Sequence, residues 1–204
     1  MNPIDEITML ESMIILVDSR EQETERAFKR YKTFGVPYKR AHLNYGDYTY
    51  NAKLPNGEWL FKEDQVVSPP LAIERKMDLD ELAMCFTRSR DRFEREFQRA
   101  KANNARIFLL IENGTWENLL HGKYRSRYNK TAFLASLAAW IVRYDLQLIF
   151  CREEISGVLI KEFLYRDLKE RISRGEYDTE RTNDDDQRAA SGEVYCHDGH
   201  GSQE

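Results

Sequence analysis

The sequence predicts an α/β domain in which a central mixed β-sheet is flanked by α-helices. Short apolar runs at residues 13–17, 71–75, 106–112 and 146–151 have the length of strands. The first run lacks polar alternation, which is typical of a strand buried on both faces. Between these runs, apolar residues recur at helical spacing, so strands and helices alternate along most of the chain.

The first half of the chain supplies most of the sheet. Strand 13–17 is followed by a helix at residues 23–34, which Gly35 ends. Strands at residues 38–43 and 48–52 come next, and a Pro-Asn-Gly turn at 55–57 leads to a returning strand that begins at Trp59. The prolines at 69 and 70 precede the strand at residues 71–75.

The second half alternates between helices and strands. One long helix is expected at residues 79–103, because its apolar residues keep a helical period throughout. The remaining predicted elements are a strand at 106–112, a turn or short helix at 114–120, a helix at 130–144, a strand at 146–151 and a helix at 155–174.

Charge divides the chain into a body and a tail. Residues 174–204 hold nine acidic and three basic residues, which leaves 28 basic and 26 acidic residues elsewhere. We therefore expect a domain at residues 1–174, whose charge does not disfavour nucleic acid, and a disordered acidic tail at 175–204. No apolar run approaches the roughly 20 residues of a membrane span, and no signal-peptide pattern opens the chain. These features predict a cytoplasmic protein without a membrane partner.

Residues 74–76, Glu-Arg-Lys, are the most informative stretch. Alternation along a strand sends Glu74 and Lys76 to one face of the sheet and Arg75 to the other. A carboxylate and an amine on one face can hold a divalent cation beside a polarised water, as phosphodiester hydrolysis requires. Taken alone, such a triplet is more often a solvated strand end with ordinary ion pairs. Further acids stand near other strands, namely Asp18, Glu21, Asp47 and Asp80.

Together these segments resemble the nuclease domain of the XPF family, structure-specific endonucleases of repair and recombination within the PD-(D/E)XK superfamily. The family motif is Gly-Asp, a variable spacer, Glu-Arg-Lys, three residues and Asp. Here the motif reads Gly46-Asp47, residues 74–76 and Asp80. The similarity also includes residues 18–21, 89–99 and 108–112, so it covers residues 13–151. It implies a restriction-endonuclease-like fold, Mg²⁺ or Mn²⁺ as cofactor, and DNA with branches or single-strand/duplex junctions as partner.

One departure concerns the C-terminal part. Eukaryotic and archaeal members usually continue into tandem helix-hairpin-helix modules, whereas a helix and an acidic tail follow here. The chain thus looks like a stand-alone form that works at the nucleoid of a bacterial or phage-infected cell. Family members commonly dimerise, so a homodimer is a further expectation, although the final helix could equally close the core.

The resemblance also implies roles for the site residues. Asp47 and Glu74 are expected as primary metal ligands, Asp18 as a third ligand, and Glu21 as a direct or water-mediated ligand. Lys76 would position or polarise the attacking water or stabilise the pentacovalent phosphate. Its ordinary role would be an ion pair with Glu74, and both roles are compatible in the apo protein.

The remaining candidates have two readings each. Arg75 would contact phosphate or brace the site. Asp80 is either catalytic or a cap of the long helix. Arg20 would pair with neighbouring acids or with a phosphate oxygen. A basic loop with two tyrosines after Gly122 is the candidate DNA-binding surface. Basic side chains bind phosphates, and tyrosine can stack on an unpaired nucleobase. Its residues are Lys123, Tyr124, Arg125, Arg127, Tyr128 and Lys130.

Two alternatives stay open. One is a non-catalytic DNA-binding or scaffolding module of the same fold, which the presence of every motif acid disfavours. The other is a nuclease of the superfamily that acts in restriction or DNA-end processing. The arginine of the Glu-Arg-Lys triplet and the spacing to Asp80 favour the XPF family over the looser superfamily pattern.

Overall fold

A computed structural model describes residues 1–178, in which six strands form one sheet with helices on both faces. The elements, in chain order, are α1 (Pro3–Glu11), β1 (Ile14–Asp18), α2 (Glu25–Lys32), β2 (Tyr38–Ala41), β3 (Tyr48–Asn51), β4 (Leu71–Lys76), α3 (Leu79–Thr87), α4 (Arg90–Ala102), β5 (Arg106–Glu112), α5 (Trp116–Leu120), α6 (Lys130–Tyr144), β6 (Gln147–Cys151) and α7 (Glu153–Ser173). The sheet order is β2-β1-β3-β4-β5-β6. Strand β3 runs antiparallel to both neighbours, whereas the other neighbouring pairs are parallel. The predicted mixed α/β architecture is confirmed.

The sheet separates two apolar cores. On one face, alternate strand residues such as Ile15, Leu71 and Ile73 pack with helices α1, α2 and α7. On the other face, residues such as Ala72 and Leu109 pack with α3, α4, α5 and α6. Since successive side chains of a strand point to opposite faces, β4 delivers Glu74 and Lys76 to the α3–α6 face and Arg75 to the α2–α7 face.

The predicted long helix at residues 79–103 is wrong in one respect, because it consists of two helices. Helix α3 ends at Thr87 and α4 begins at Arg90. The break lets Phe86 of α3 and Phe93 of α4 both pack on Trp140, at ring-centroid distances of 4.9 and 5.0 Å. Periodicity alone could not reveal the break, since the apolar residues keep their spacing across it.

Two further differences lie in the first half of the chain. The returning strand expected from Trp59 is reduced to a single bridge between Lys53 and Trp59. Helix α1 was not predicted, although its signals are present in the sequence. The side chain of Asn2 caps the helix by accepting hydrogen bonds from the amides of Ile4 and Asp5, and proline stands in the first turn.

The C-terminal helix closes one core. Residues Ile160, Leu164 and Leu168 of α7 are buried against the sheet. Beyond the boundary expected at residue 174, the chain still contacts the domain, because the Tyr177 hydroxyl lies 3.0 Å from that of Tyr50. The rest of the expected tail, residues 179–204, lies outside the described residues. Across residues 1–178, no helix combines the length and apolarity that crossing a membrane needs.

Candidate active site

The topology gathers the motif residues at one edge of the sheet. Strands β1, β4 and β5 run in the same direction and end there, while β3 begins there. Rigid strand ends are where reactive groups are held most firmly. A cleft of about 590 Å³ opens at this edge. Its lining includes all seven expected catalytic residues, which are Asp18, Glu21, Asp47, Glu74, Arg75, Lys76 and Asp80.

Gly46 places Asp47 in the cleft. Its φ is +74°, and a Cβ at this position would lie 2.6 Å from the Cβ of Ala72, so only glycine fits the close approach to β4. The Asp47 amide donates to the carbonyl of Ile73 at 2.8 Å, and its carboxylate accepts from the Arg75 amide at 2.7 Å. The backbone of β4 therefore fixes the Asp47 carboxylate.

Glu74 and Lys76 form a buried pair on the α3–α6 face. They are only 4% and 7% exposed, and the Lys76 Nζ lies 2.5 Å from Oε1 of Glu74. Burial alone would lower the pKa of Lys76, but the carboxylates of Glu74 and Asp47 outweigh it and raise the pKa above its ordinary value. Lys76 is therefore an ammonium that can donate hydrogen bonds but cannot remove a proton. The expected alternative of an ion pair with Glu74 is the arrangement observed.

The two principal acids repel one another. Burial and the nearby Glu74 charge raise the pKa of Asp47 well above its ordinary value. Glu96 of α4 also lines the cleft, and burial together with Glu74 raises its pKa to about 7. Sequence reasoning missed Glu96, which belongs to no motif. Its one signal is its position three residues after the buried Phe93, which puts both on one face of the helix.

Asp18 is held by its neighbour Arg20. The guanidinium Nε lies 3.0 Å from both carboxylate oxygens, Nη2 makes a further contact, and the Arg20 amide donates to Oδ1 at 2.8 Å. Of the two roles expected for Arg20, the structure contains the pairing with an acid. A metal ion at Asp18 would compete with Arg20 for the carboxylate oxygens.

Arg75 lies on the opposite face of the sheet, as strand alternation predicts, and pairs with acids there. Its guanidinium lies 3.1 Å from Glu112 and 3.3 Å from Glu21. Arg30 of α2 donates to the same Glu112 at 3.0 Å and to the Tyr48 hydroxyl at 3.0 Å, and that hydroxyl donates to Glu21. Glu21 is thus part of a buried network of charges. Sequence reasoning missed Arg30 and Glu112, since a charge at the end of a strand or on a helix carries no mark of its burial.

Asp80 does not cap the helix, which corrects one of its two expected roles. Asp78 is the N-cap of α3, accepting from the Glu81 amide at 2.8 Å. The Asp80 carboxylate instead accepts from the Ser126 amide at 2.6 Å and from Arg125 Nε at 3.0 Å. This motif acid therefore ties the candidate DNA-binding loop to the rim of the cleft.

The loop at residues 123–130 divides into outward and inward side chains. Its four basic residues, Lys123, Arg125, Arg127 and Lys130, are exposed. The rings of Tyr124 and Tyr128 instead pack on Phe133, each at a centroid distance of 5.4 Å. This packing supports the loop from within, so base stacking by the two tyrosines stays a prediction that the arrangement does not favour.

The acids fit a hard divalent cation in chemistry, although their present partners are internal. Among residues 1–178, no three Asp, Glu, His or Cys side chains converge in a ready metal-binding cluster. The reason is visible in the contacts, because Arg20 holds Asp18, Lys76 holds Glu74 and a backbone amide holds Asp47. Carboxylate oxygens are the ligands that Mg²⁺ and Mn²⁺ prefer, and a cation between Asp47 and Glu74 would offset both the burial and the repulsion that raise the pKa of Asp47.

An acidic cleft with a buried lysine, set at the carboxyl edge of a mixed sheet, defines a restriction-endonuclease-like domain. Residues 17–161 match the ERCC4 domain family. The chain therefore belongs to the ERCC4 domain family, which includes the XPF-type nucleases. The resemblance to the XPF family is thereby confirmed.

Solved structures share the fold. The chain is similar to XPF from Aeropyrum pernix, with 19% identity and a TM-score of 0.50 over 76% of this chain and 61% of that chain. It is also similar to XPF from Aeropyrum pernix in complex with DNA, with 22% identity and a TM-score of 0.51 over 77% of this chain and 65% of that chain. The chain thus spans less than two thirds of both. No curated protein sequence matches it.

Proposed function

We propose that the protein is a Mg²⁺- or Mn²⁺-dependent DNA endonuclease that cleaves flap, fork or otherwise branched DNA in repair or recombination. One observation carries the proposal above the others. In a member of the ERCC4 domain family, Asp47, Glu74 and a protonated Lys76 meet in one cleft at a sheet edge. Fixed carboxylates beside an ammonium are what phosphodiester hydrolysis needs.

The residues of the cleft have complementary tasks. Asp47 and Glu74 would hold the divalent ion, with Asp18 joining once its carboxylate leaves Arg20. The bound ion supplies charge neutralisation at the phosphate and a more acidic water. Lys76, released from Glu74, would donate a hydrogen bond to a non-bridging phosphate oxygen or orient the water. Arg75, braced by Glu112 and Glu21, would keep the end of β4 in place.

The DNA would extend from the cleft toward the basic loop. A groove of about 860 Å³ adjoins the cleft and shares Asp80, Met84 and Arg125 with it. Its far side is lined by Arg88 and Arg127. Arg125 is 84% exposed on its side chain, so a phosphate can reach it. This continuous path supports the proposal that Arg125, Arg127, Lys123 and Lys130 contact the DNA backbone.

The test is a cleavage panel of single-stranded, duplex, flap, fork and four-way DNA with Mg²⁺, Mn²⁺ and EDTA. We expect metal-dependent cleavage of branched substrates, and at least a roughly hundredfold loss in Glu74→Gln and Lys76→Ala. Glu154→Gln, at an exposed position of α7, is the matched control. Binding without cleavage under every metal condition would instead indicate a scaffolding module. Cleavage of plain duplex without branch preference would indicate restriction or end processing.

A homodimer is part of the same proposal. Several large apolar side chains are exposed on α5, α6 and the start of α7, namely Trp116, Leu120, Val142, Ile155 and Val158. One face of α7 closes the core, whereas its first turns leave Ile155 and Val158 exposed for a second copy. Sedimentation analysis of the protein and of a Val142→Asp/Val158→Asp variant tests this point, since two charges at the interface would leave a monomer. We retain the cell cytoplasm, beside the nucleoid, as the expected location.

A further inference from the structure

A second groove lies on the same face of the sheet as Glu74 and Lys76, toward the edge formed by β2. On this face, strands β1 and β2 pack with a small apolar cluster around Leu16, Leu43 and Val67, which contains no helical residue among residues 1–178. The chain between β3 and β4 covers this cluster only partly and leaves a groove of about 410 Å³. We call it the β1–β2 groove. A volume of this size is typical of a site for a small ligand or one extended strand.

The floor of the β1–β2 groove is apolar and its wall is aromatic. Ile14, Leu16 and Val67 form the floor, and the partly exposed rings of Trp59 and Phe61 line it as well. Nζ of Lys53 lies 5.5 Å from the centroid of the Trp59 ring. Partly exposed aromatic rings beside cations are the elements on which unpaired bases stack.

The rim carries charges of both signs. Lys39, Arg40, His42 and Lys62 line it, together with the acids Glu63 and Asp64. Arg40 is paired with Glu23, and Asp64 forms no ion pair within residues 1–178. Glu63 is neutralised by an ion pair with Lys39. Lys62 is exposed and forms no ion pair within residues 1–178. The rim therefore offers at least one free cation to an anionic ligand.

The groove opens beside the candidate active site. Ser19 lines the β1–β2 groove, whereas Asp18, Arg20 and Glu21 line the cleft, so one short segment separates the two. Arg40 fastens this segment by donating to the carbonyls of Ser19 at 2.6 Å and Glu21 at 2.7 Å. A second nitrogen of Arg40, Nη1, is buried without a hydrogen-bond partner within the described part of the chain, although Glu23 lies 3.4 Å away.

We propose that the β1–β2 groove binds an unpaired DNA strand, with a base against Trp59 and a phosphate at Lys62, next to the bond that the cleft would cleave. The proposal rests on the function proposed above and specifies its substrate, since it requires a single-stranded arm. A volume of about 410 Å³ is of the size that one or two unpaired nucleotides occupy. The adjacent loop at residues 123–130 would then hold the other, duplex side of the junction.

The groove can be tested apart from cleavage. Binding of fluorescein-labelled dT₁₂ to the full chain is measured by anisotropy in EDTA, at several salt concentrations. We expect Trp59→Ala to weaken binding about tenfold, as the loss of one stacked base would. Lys62→Ala should weaken binding severalfold and lower the salt slope by about 0.7, the value for one phosphate of a single strand. Lys169→Ala, on α7 at the opposite face of the sheet, is the matched control and should bind as the wild type does.

Because Lys62 is exposed, its variant is expected to keep its fold even if Trp59→Ala does not. Equal affinity for dT₁₂ in wild type and Lys62→Ala, with an unchanged salt slope, would overturn the proposal. Amide shifts on dT₁₂ addition that map only to residues 123–130 would also overturn it. So would a labelled extended peptide that binds in the groove and is not displaced by dT₁₂. Groove-dependent binding of dT₁₂ by a protein that cleaves nothing would uphold the groove and reject only the proposed nuclease activity.

Discussion

Replacing Glu112 by alanine should destabilise the domain by about 3–5 kcal/mol, the usual result of removing one partner from a buried ion pair. Glu112 is 0% exposed and accepts hydrogen bonds from Arg30 at 3.0 Å and Arg75 at 3.1 Å. Without it, two guanidinium groups would share only Glu21, at 3.6 and 3.3 Å. Like charges would then face each other on side chains that are only 4% and 14% exposed.

Urea unfolding of the metal-free protein, followed by circular dichroism and tryptophan fluorescence, measures the effect. With an m-value of about 2 kcal/mol per molar urea, the midpoint should fall by about 2 M. Glu154→Ala, an exposed carboxylate on α7, should change it little. Glu112→Gln keeps the shape of the side chain and one hydrogen-bond acceptor, so the loss of stability should be smaller than in Glu112→Ala. Arg30→Met should cost less in the Glu112→Leu background than alone, as expected for coupled residues. A loss below about 1 kcal/mol for Glu112→Ala would refute the account of this network.

Three other outcomes follow from the same structure. Gly46→Ala should lower stability by about 2–4 kcal/mol, because its φ is +74° and the new Cβ would lie 2.6 Å from that of Ala72; an unchanged melting temperature would contradict this. Arg125→Ala should leave the melting temperature unchanged while weakening affinity for branched DNA and lowering the salt slope by about 1, whereas an unchanged slope would remove Arg125 from the DNA path. Burial raises the pKa of the Cys151 thiol to about 11. In a Cys85→Ser/Cys196→Ser variant, the rate at which a thiol reagent labels Cys151 of the folded protein should therefore be low at pH 8 and should rise toward pH 11. The unfolded chain loses this proton first, so the contribution of the neutral thiol to stability should decline between about pH 9 and 11; labelling as fast as that of the unfolded chain would show that the thiol is not buried.

The sequence predicted those parts of the fold that local pattern controls. Strand β5 and helix α6 have the expected bounds, since long apolar runs and a regular helical period leave little choice. The break between α3 and α4 depends on Trp140, about 50 residues further along, and no local pattern contains that contact. The strand expected from Trp59 is reduced to one bridge with Lys53, a pairing that the local pattern did not predict.

In the candidate site as well, local pattern predicted some residues, whereas contacts between distant parts of the chain were not predictable. Motif spacing predicted Asp47, Glu74 and Lys76, and strand alternation predicted the opposite direction of Arg75. The partners of these residues could not be predicted, because Arg30, Glu96 and Glu112 come from elements far apart in the chain. Asp80 shows the limit most clearly. Its place at the start of a helix suggested a cap, but the loop at residues 123–130 returns to it and Asp78 takes the capping position.

The internal partners of the acids have a thermodynamic consequence. In the metal-free protein, cations of the chain itself already neutralise Asp18, Glu74 and Asp80. A divalent cation bound by the proposed ligands would have to displace these partners, so its affinity should be lower than the number of carboxylates suggests. A DNA phosphate that draws Arg20 away would free the Asp18 carboxylate for the metal. By reciprocity, DNA should tighten metal binding by the same factor by which metal tightens DNA binding.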